Sequence, residues 1–103
     1  MIALVLALAL ALEAAPVPVE GPPPAPSGHI AKIMAHGDGR SPETAYKVGS
    51  VRDEYEVVRA LGLTVKSQAL VGGRKPYDVL EVADAHGNVL KLWFDIGAFY
   101  PEF

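Results

Sequence analysis

The sequence contains no cysteine, which excludes a disulfide scaffold, a thiolate zinc site and a cysteine nucleophile. It also lacks a concentration of positive charge. The nine lysines and arginines are scattered along the chain, and the formal net charge is −3. Because nucleic-acid binding requires a concentrated basic surface, the sequence argues against a nucleic-acid partner.

Catalytic motifs are absent as well. A nucleophilic hydrolase needs a serine or threonine beside a histidine and an acid, together with an oxyanion hole. Ser41 and Ser50 stand at predicted helix starts, where each is expected to cap a helix. No nucleophile-elbow motif surrounds the other serines. We therefore predict a protein that is not an enzyme and needs no cofactor, and a small hydrolase ranks third among the functional hypotheses.

The chain lacks an apolar run long enough to span a bilayer, which requires about 20 residues. Residues 2–12 are continuously apolar, and this length is typical of the hydrophobic region of a signal peptide. We predict a signal peptide over residues 1–14, cleaved before Ala15, and hence a periplasmic or secreted protein without stable membrane insertion after cleavage. The alternative is an uncleaved hydrophobic tail or a buried helix, since no lysine or arginine precedes the run.

Proline is concentrated near the start of the chain. Residues 16–26 hold six of the nine prolines, and such a stretch forms neither a regular helix nor a hydrogen-bonded ladder. We predict an extended linker over residues 15–28. The remaining residues, 29–103, then form one small domain.

The first half of this domain shows two helix-start signals. Ser41 followed by Pro42 predicts a single helical turn that leads into a short strand over residues 45–48. Ser50 predicts the cap of a longer helix that Gly62 ends. The apolar side of this helix is expected to contain Val51, Tyr55, Val58 and Leu61. The earlier run, residues 29–36, fits either a strand or a helical turn.

A strand is predicted over residues 64–71, and its residues Val65, Ala69 and Val71 are expected to share a face. The two strands of a β-hairpin follow it. Asp84 and Gly87 suit a three-residue hairpin loop over residues 85–87. That loop sets a register with one core face. The core face pairs Val82 with Leu90, Leu80 with Leu92 and Asp78 with Phe94, and continues to Ile96.

The opposite side of the hairpin, here called the Trp93 face, is also partly apolar. It pairs Ala83 with Val89, Glu81 with Lys91, Val79 with Trp93 and Tyr77 with Asp95. Either residues 29–35 cover this face, which the shortage of core favours, or it is a binding patch. The candidate partner-binding residues are Tyr77, Val79, Trp93, Phe99 and Tyr100, with docking of Phe99 and Tyr100 onto the domain as the alternative.

These elements predict an α+β fold, with one helix packed on an antiparallel sheet of three or four strands in the order β-α-β-β-β. A metal site is a further hypothesis, because His29, His36 and Asp38 lie close together in the sequence and offer imidazole and carboxylate ligands. Their spacing matches no compact ligand motif, so an ordinary solvated loop is the alternative.

Several sequence blocks resemble a known group of proteins. They are Gly37–Ala45 (GDGRSPETA), Glu54-Tyr55, Lys75–Leu80 (KPYDVL) and Trp93–Phe99 (WFDIGAF). The region from Gly37 to Phe103 resembles small exported bacterial proteins of unknown function that share such blocks. The resemblance implies no activity and no site residues.

We therefore hypothesise an exported, non-enzymatic binding or inhibitory module that engages a protein partner through the Trp93 face or the aromatic tail. A periplasmic protein that binds a small ligand or a metal is the alternative.

Overall fold

The computed structural model describes residues 25–101. The predicted signal peptide and the linker up to residue 24 lie outside this range. Within it, no helix is long and apolar enough to cross a membrane. The elements are helices α1 (Gly28–Ala35) and α2 (Val51–Ala60), a 3-10 turn (Pro42–Thr44), and strands β1 (Tyr46–Lys47), β2 (Thr64–Val71), β3 (Tyr77–Ala83) and β4 (Val89–Asp95).

The four strands form one sheet in the order β1-β4-β3-β2. The α+β prediction is confirmed, with two differences. Helix α1 is an additional helix, and β1 runs parallel to β4, so the sheet is mixed rather than wholly antiparallel. The parallel pair arises because α2, rather than a tight turn, connects β1 to β2, and this crossover brings the chain to the opposite edge in the same direction.

The hairpin of β3 and β4 has the predicted register at every position, from Tyr77 opposite Asp95 to Ala83 opposite Val89. Its loop is closed by Asp84, whose Oδ1 accepts hydrogen bonds from the backbone N–H groups of His86 (2.8 Å) and Asn88 (2.9 Å). A further bond from the Asn88 side chain is the main cause that lowers the pKa of Asp84. Side-chain alternation and loop chemistry together therefore set the register.

The core lies on one face of the sheet, and both helices pack there. Residues 28–35 form a helix that Ser27 caps by accepting a hydrogen bond from the Ile30 N–H. Because this helix packs on the core face, the expectation that it covers the Trp93 face is wrong. The core consists of Ile30, Ile33, Tyr46, Val48, Val57, Val58, Leu80, Val82, Leu92, Phe94 and Ile96.

Helix α2 has the predicted ends but not the predicted buried side. Ser50 accepts a hydrogen bond from the Asp53 N–H at 3.1 Å, and Gly62 ends the helix with a φ of 73°. However, three residues of the expected apolar side, Val51, Tyr55 and Leu61, are exposed. The buried residues are Asp53, Glu54, Val57 and Val58. The helix is thus rotated about its axis relative to the prediction, with a carboxyl group toward the core.

Strand β2 has the predicted range but contains a β-bulge between Val65 and Ser67. A bulge adds one residue to a strand, so the side chains beyond it change faces. Val65 pairs with a core-face residue, whereas Ala69 and Val71 lie on the Trp93 face. The prediction that these three share a face is therefore wrong.

A loop over residues 37–44 lies against the edge of β4. The Gly39 N–H donates to the Thr44 carbonyl oxygen at 2.8 Å, and the Gly39 carbonyl oxygen accepts from the Trp93 N–H at 2.6 Å. Asp38 Oδ1 accepts hydrogen bonds from the Thr44 hydroxyl (2.6 Å) and the Arg40 N–H (3.0 Å). These bonds, that from Thr44 foremost, lower the pKa of Asp38. The Gly-Asp-Gly segment is therefore a structural element of the fold.

Replacement of Gly39 by alanine is expected to lower the free energy of unfolding by about 1 to 3 kcal/mol. Gly39 has a φ of 71°, and an added Cβ would lie 2.5 Å from the Tyr46 ring. Gly72→Ala is the matched control, because nothing lies within 4 Å of its added Cβ. Urea unfolding followed by circular dichroism measures both variants, and equal losses would contradict this account of the loop.

Candidate functional site

The candidate metal ligands are not brought together. His29 Nε2 lies 3.1 Å from Asp53 Oδ2. His36 Nδ1 donates to the Lys32 carbonyl oxygen at 2.7 Å, and Asp38 is part of the loop described above. Among residues 25–101, no group of three or more His, Asp or Glu side chains is arranged to hold a metal ion.

The candidate partner-binding residues divide between the two faces of the sheet. Tyr77, Val79 and Trp93 occupy neighbouring positions on the Trp93 face. The Tyr77 and Trp93 rings meet edge to face, with centroids 5.5 Å apart. Phe99 and Tyr100 instead pack against the core, so they do not extend the Trp93 face.

The Trp93 face is the side of the sheet opposite the helices. Its apolar area continues from the hairpin onto β2 through Ala69 and Val71, which stand opposite Val79 and Tyr77. The face carries charges of both signs. Lys91 stands opposite Glu81, Lys47 stands opposite Asp95, and Lys75 Nζ lies 3.4 Å from Asp95 Oδ2.

A depression of about 220 Å³ lies elsewhere, where the segment before α1 meets α2. None of the candidate site residues lines it. Its walls are formed by Ala25, Pro26, Ser27, Ile30, Glu56, Arg59 and Ala60.

The structure adds a feature that the sequence analysis missed, a carboxyl pair inside the core. Glu54 of α2 and Asp78 of β3 each have 0% of their surface exposed, and the two side chains are near enough for Asp78 to affect the pKa of Glu54. No N–H or O–H donor among the described residues reaches either Glu54 oxygen. Two carboxylates cannot donate to each other, so a hydrogen bond within this pair requires a proton on one of the two groups.

Burial is the main reason that the pair carries a proton. It raises the pKa of Glu54 to about 9, and the hydrogen bond to Asp78 and the charge of Asp78 raise it further in the same direction. A charged group buried without a partner is strongly destabilising, so a buried acid keeps its proton. At neutral pH Glu54 is therefore a neutral acid inside the core.

A third residue completes this buried pair. Gln68 of β2 donates from Nε2 to both carboxylate oxygens of Asp78, at 3.0 Å and 2.8 Å. Gln68 is itself exposed, so its side chain runs from the surface into the core. The Asp78 carboxyl group is thus hydrogen-bonded from β2.

Two signals in the sequence could have located the pair. The predicted register already placed Asp78 on the core face opposite Phe94, which is an unusual position for an acid. Glu54, Val57, Val58 and Leu61 also recur at helical spacing, so they define a possible buried side of α2 no less well than the predicted apolar side does. The pair can bind and release a proton, but its burial keeps substrates away from it.

We expect Glu54→Gln to remove a pH dependence of stability. The pKa of Glu54 is about 9 in the folded protein against an ordinary value of 4.5, so between these values the folded state binds more protons than the unfolded chain. Its stabilising contribution is complete below the ordinary value and is lost as the pH rises through 9. Relative to Glu54→Gln, the wild type should lose up to about 1.4 kcal/mol per pH unit over this interval.

Urea unfolding at several pH values between 5 and 9 measures this difference. Glu56→Gln, which removes a negative charge from the same helix at a partly exposed position, is the control and should show no such trend. A difference between wild type and Glu54→Gln that stays constant with pH would contradict the proton assignment.

Comparison with known proteins gives a family but no function. No curated protein and no solved structure gives a significant match to the chain. A family model described as a domain of unknown function, DUF4919, matches residues 27–102. This range includes both helices, all four strands and the carboxyl pair. The chain therefore belongs to the DUF4919 family.

Proposed function

We propose that this protein is an exported, non-enzymatic binding module that holds a protein partner on the Trp93 face. One observation carries the proposal. Both helices pack on the opposite face of the sheet, so within residues 25–101 no helix covers the half-buried rings of Tyr77 and Trp93. Val79 lies beside them and is only 8% exposed, so it supports the two rings rather than offering contact area of its own. Export rests on the predicted signal peptide.

The shape and charge of this face favour a protein over other ligands. A small molecule is normally enclosed in a concave pocket, whereas the Trp93 face is one side of a sheet. Nucleic acid requires a concentrated positive surface, whereas the lysines of this face lie beside the acids Glu81 and Asp95. An apolar centre with charges of both signs around it is typical of a protein interface.

The aromatic pair is the expected centre of binding. Tryptophan and tyrosine are enriched among the residues that dominate interface energies, and both rings are already held by their edge-to-face contact. Half-buried rings that are fixed before binding lose little conformational entropy when a partner packs on them. Where the partner is an enzyme, the same contact would make this protein an inhibitor.

The proposal predicts that contacts with the partner are confined to one face. A photo-reactive phenylalanine analogue placed at Val71, which is exposed on the Trp93 face, should form an adduct of one defined mass in extract of the exported fraction. Trp93→Thr in the same protein should lower its yield at least tenfold, because loss of a central aromatic residue costs about 2 kcal/mol or more.

The matched control is Tyr55, an aromatic residue that is 46% exposed on α2. The reactive analogue at position 55 should not form the adduct, and Tyr55→Thr should leave the yield from position 71 unchanged. Circular dichroism confirms that each variant is folded. Equal adducts from positions 55 and 71, or an undiminished yield in Trp93→Thr, would refute binding through the Trp93 face.

A further inference from the structure

The second half of β2 pairs with β3 but buries little of its surface. Residues Gln68–Val71, here called the β2 end, are all exposed, and the bulge separates them from Val65, which packs against the core. Even Leu70, which lies on the core-face side opposite Asp78, has 51% of its surface exposed. Segments with few buried contacts have low local stability.

One side chain of the β2 end is an exception. The Gln68 amide bonds both oxygens of the buried Asp78 carboxylate. Apart from the backbone ladder with β3, this is the polar contact that joins the β2 end to the interior. Hydrogen bonds to a charged group contribute about 1.5 to 3 kcal/mol, more than bonds between neutral groups.

Water can reach the carboxyl pair most easily from the side of β2. The core residues of the other elements are almost fully buried, including Ile30 of α1, Val57 of α2 and Phe94 of β4. The β2 end is exposed throughout. If the pair loses its proton, movement of the β2 end would therefore let water reach the new carboxylate without displacing the buried core residues.

Charged groups on the neighbouring elements do not offset such a charge. From α2 and β3, the groups that face the pair are Glu54 and Asp78 themselves, and β2 contributes an uncharged amide. Asp53, beside Glu54, instead pairs with His29 and accepts from the Gly49 N–H.

The facing residues of the remaining elements are apolar. Opposite Asp78, β4 presents Phe94, and α1 presents Ile30 and Ile33. The ion pair of Lys75 and Asp95 lies at the Trp93 face, since Asp95 stands opposite Tyr77.

We propose that a single proton shared by Glu54 and Asp78 locks the β2 end onto the sheet, and that loss of this proton releases the β2 end while the rest of the fold persists. With the proton present, Glu54 is neutral and Gln68 donates to the Asp78 carboxyl group. Without it, two carboxylates face each other in the core with the Gln68 amide as the remaining donor. Repulsion and hydration then favour displacement of the end of β2, a strand in which no residue is buried.

Carbon-detected NMR of the full-length protein between pH 6 and 10.5 tests this proposal, because it does not rely on exchangeable amide protons. We expect the Glu54 carboxyl signal to titrate near pH 9. The backbone carbon shifts of residues 68–71 should move toward coil values with the same midpoint, while those of β3 and β4 keep their strand values. In Glu54→Gln, residues 68–71 should keep strand shifts up to pH 10.5.

Gln68→Ala gives a second test, in which the β2 end should already show coil shifts at pH 7 while Glu54 still titrates. If Glu54→Gln fails to fold, the two midpoints in the wild type decide the matter alone. Titration of Glu54 without a change in residues 68–71, titration near its ordinary pKa, or loss of all strands at one pH would each overturn the proposal. None of these measurements involves a partner, so they are independent of the proposed binding function.

Discussion

The structure depends on one constraint, which is that the helices within residues 25–101 cover only one face of the sheet. About 75 residues bury a single modest core, and here both helices are used on the face that presents Leu80, Leu92 and Phe94. The opposite face therefore has to be satisfied by neighbouring side chains of the sheet itself. The edge-to-face contact of Tyr77 with Trp93 and the cross-strand pair of Glu81 with Lys91 serve this purpose.

In so small a core, the burial of two carboxyl groups costs desolvation free energy. A small domain has little apolar area to offset buried polar groups. The cost is reduced because burial keeps Glu54 neutral and because Gln68 donates to both oxygens of Asp78. The arrangement joins a helix, a central strand and an edge strand at one point. Polar contacts of this kind specify a unique alignment in some proteins, and here they align α2, β3 and the half of β2 that follows the bulge.

Much of the fold could be predicted from the sequence, because its signals are local. The register of β3 and β4 followed from alternation and from the chemistry of Asp84 and Gly87, and the limits of α2 followed from Ser50 and Gly62. Features that depend on distant contacts could not be obtained in this way. The two residues of β1 do not show whether they run parallel or antiparallel to β4, and the eight residues of α1 are too few for periodicity to identify a helix.

The site was predictable only in part, for similar reasons. Trp93 and its neighbours followed from the register. The predicted buried face of α2 was wrong because it followed the apolar residues, which leave out Glu54, whereas tertiary packing places Glu54 in the core. The change of face within β2 was missed because no residue type at Lys66 marks a bulge. Recognition of the Glu54 and Asp78 pair requires knowledge of how α2 lies across β3, which no local pattern contains.

The loop over residues 37–44 has one more consequence, which concerns assembly. At the outer edge of β4, the Gly39 carbonyl oxygen accepts a hydrogen bond from the Trp93 N–H, and the two-residue β1 pairs with Phe94 and Asp95. Within residues 25–101, β2 is then the long strand with a free side. Edge-to-edge association of two copies would use that side in both, and the resulting pair would have no comparable edge left for a third. For the strands described within residues 25–101, edge-to-edge growth would therefore end at a pair of copies.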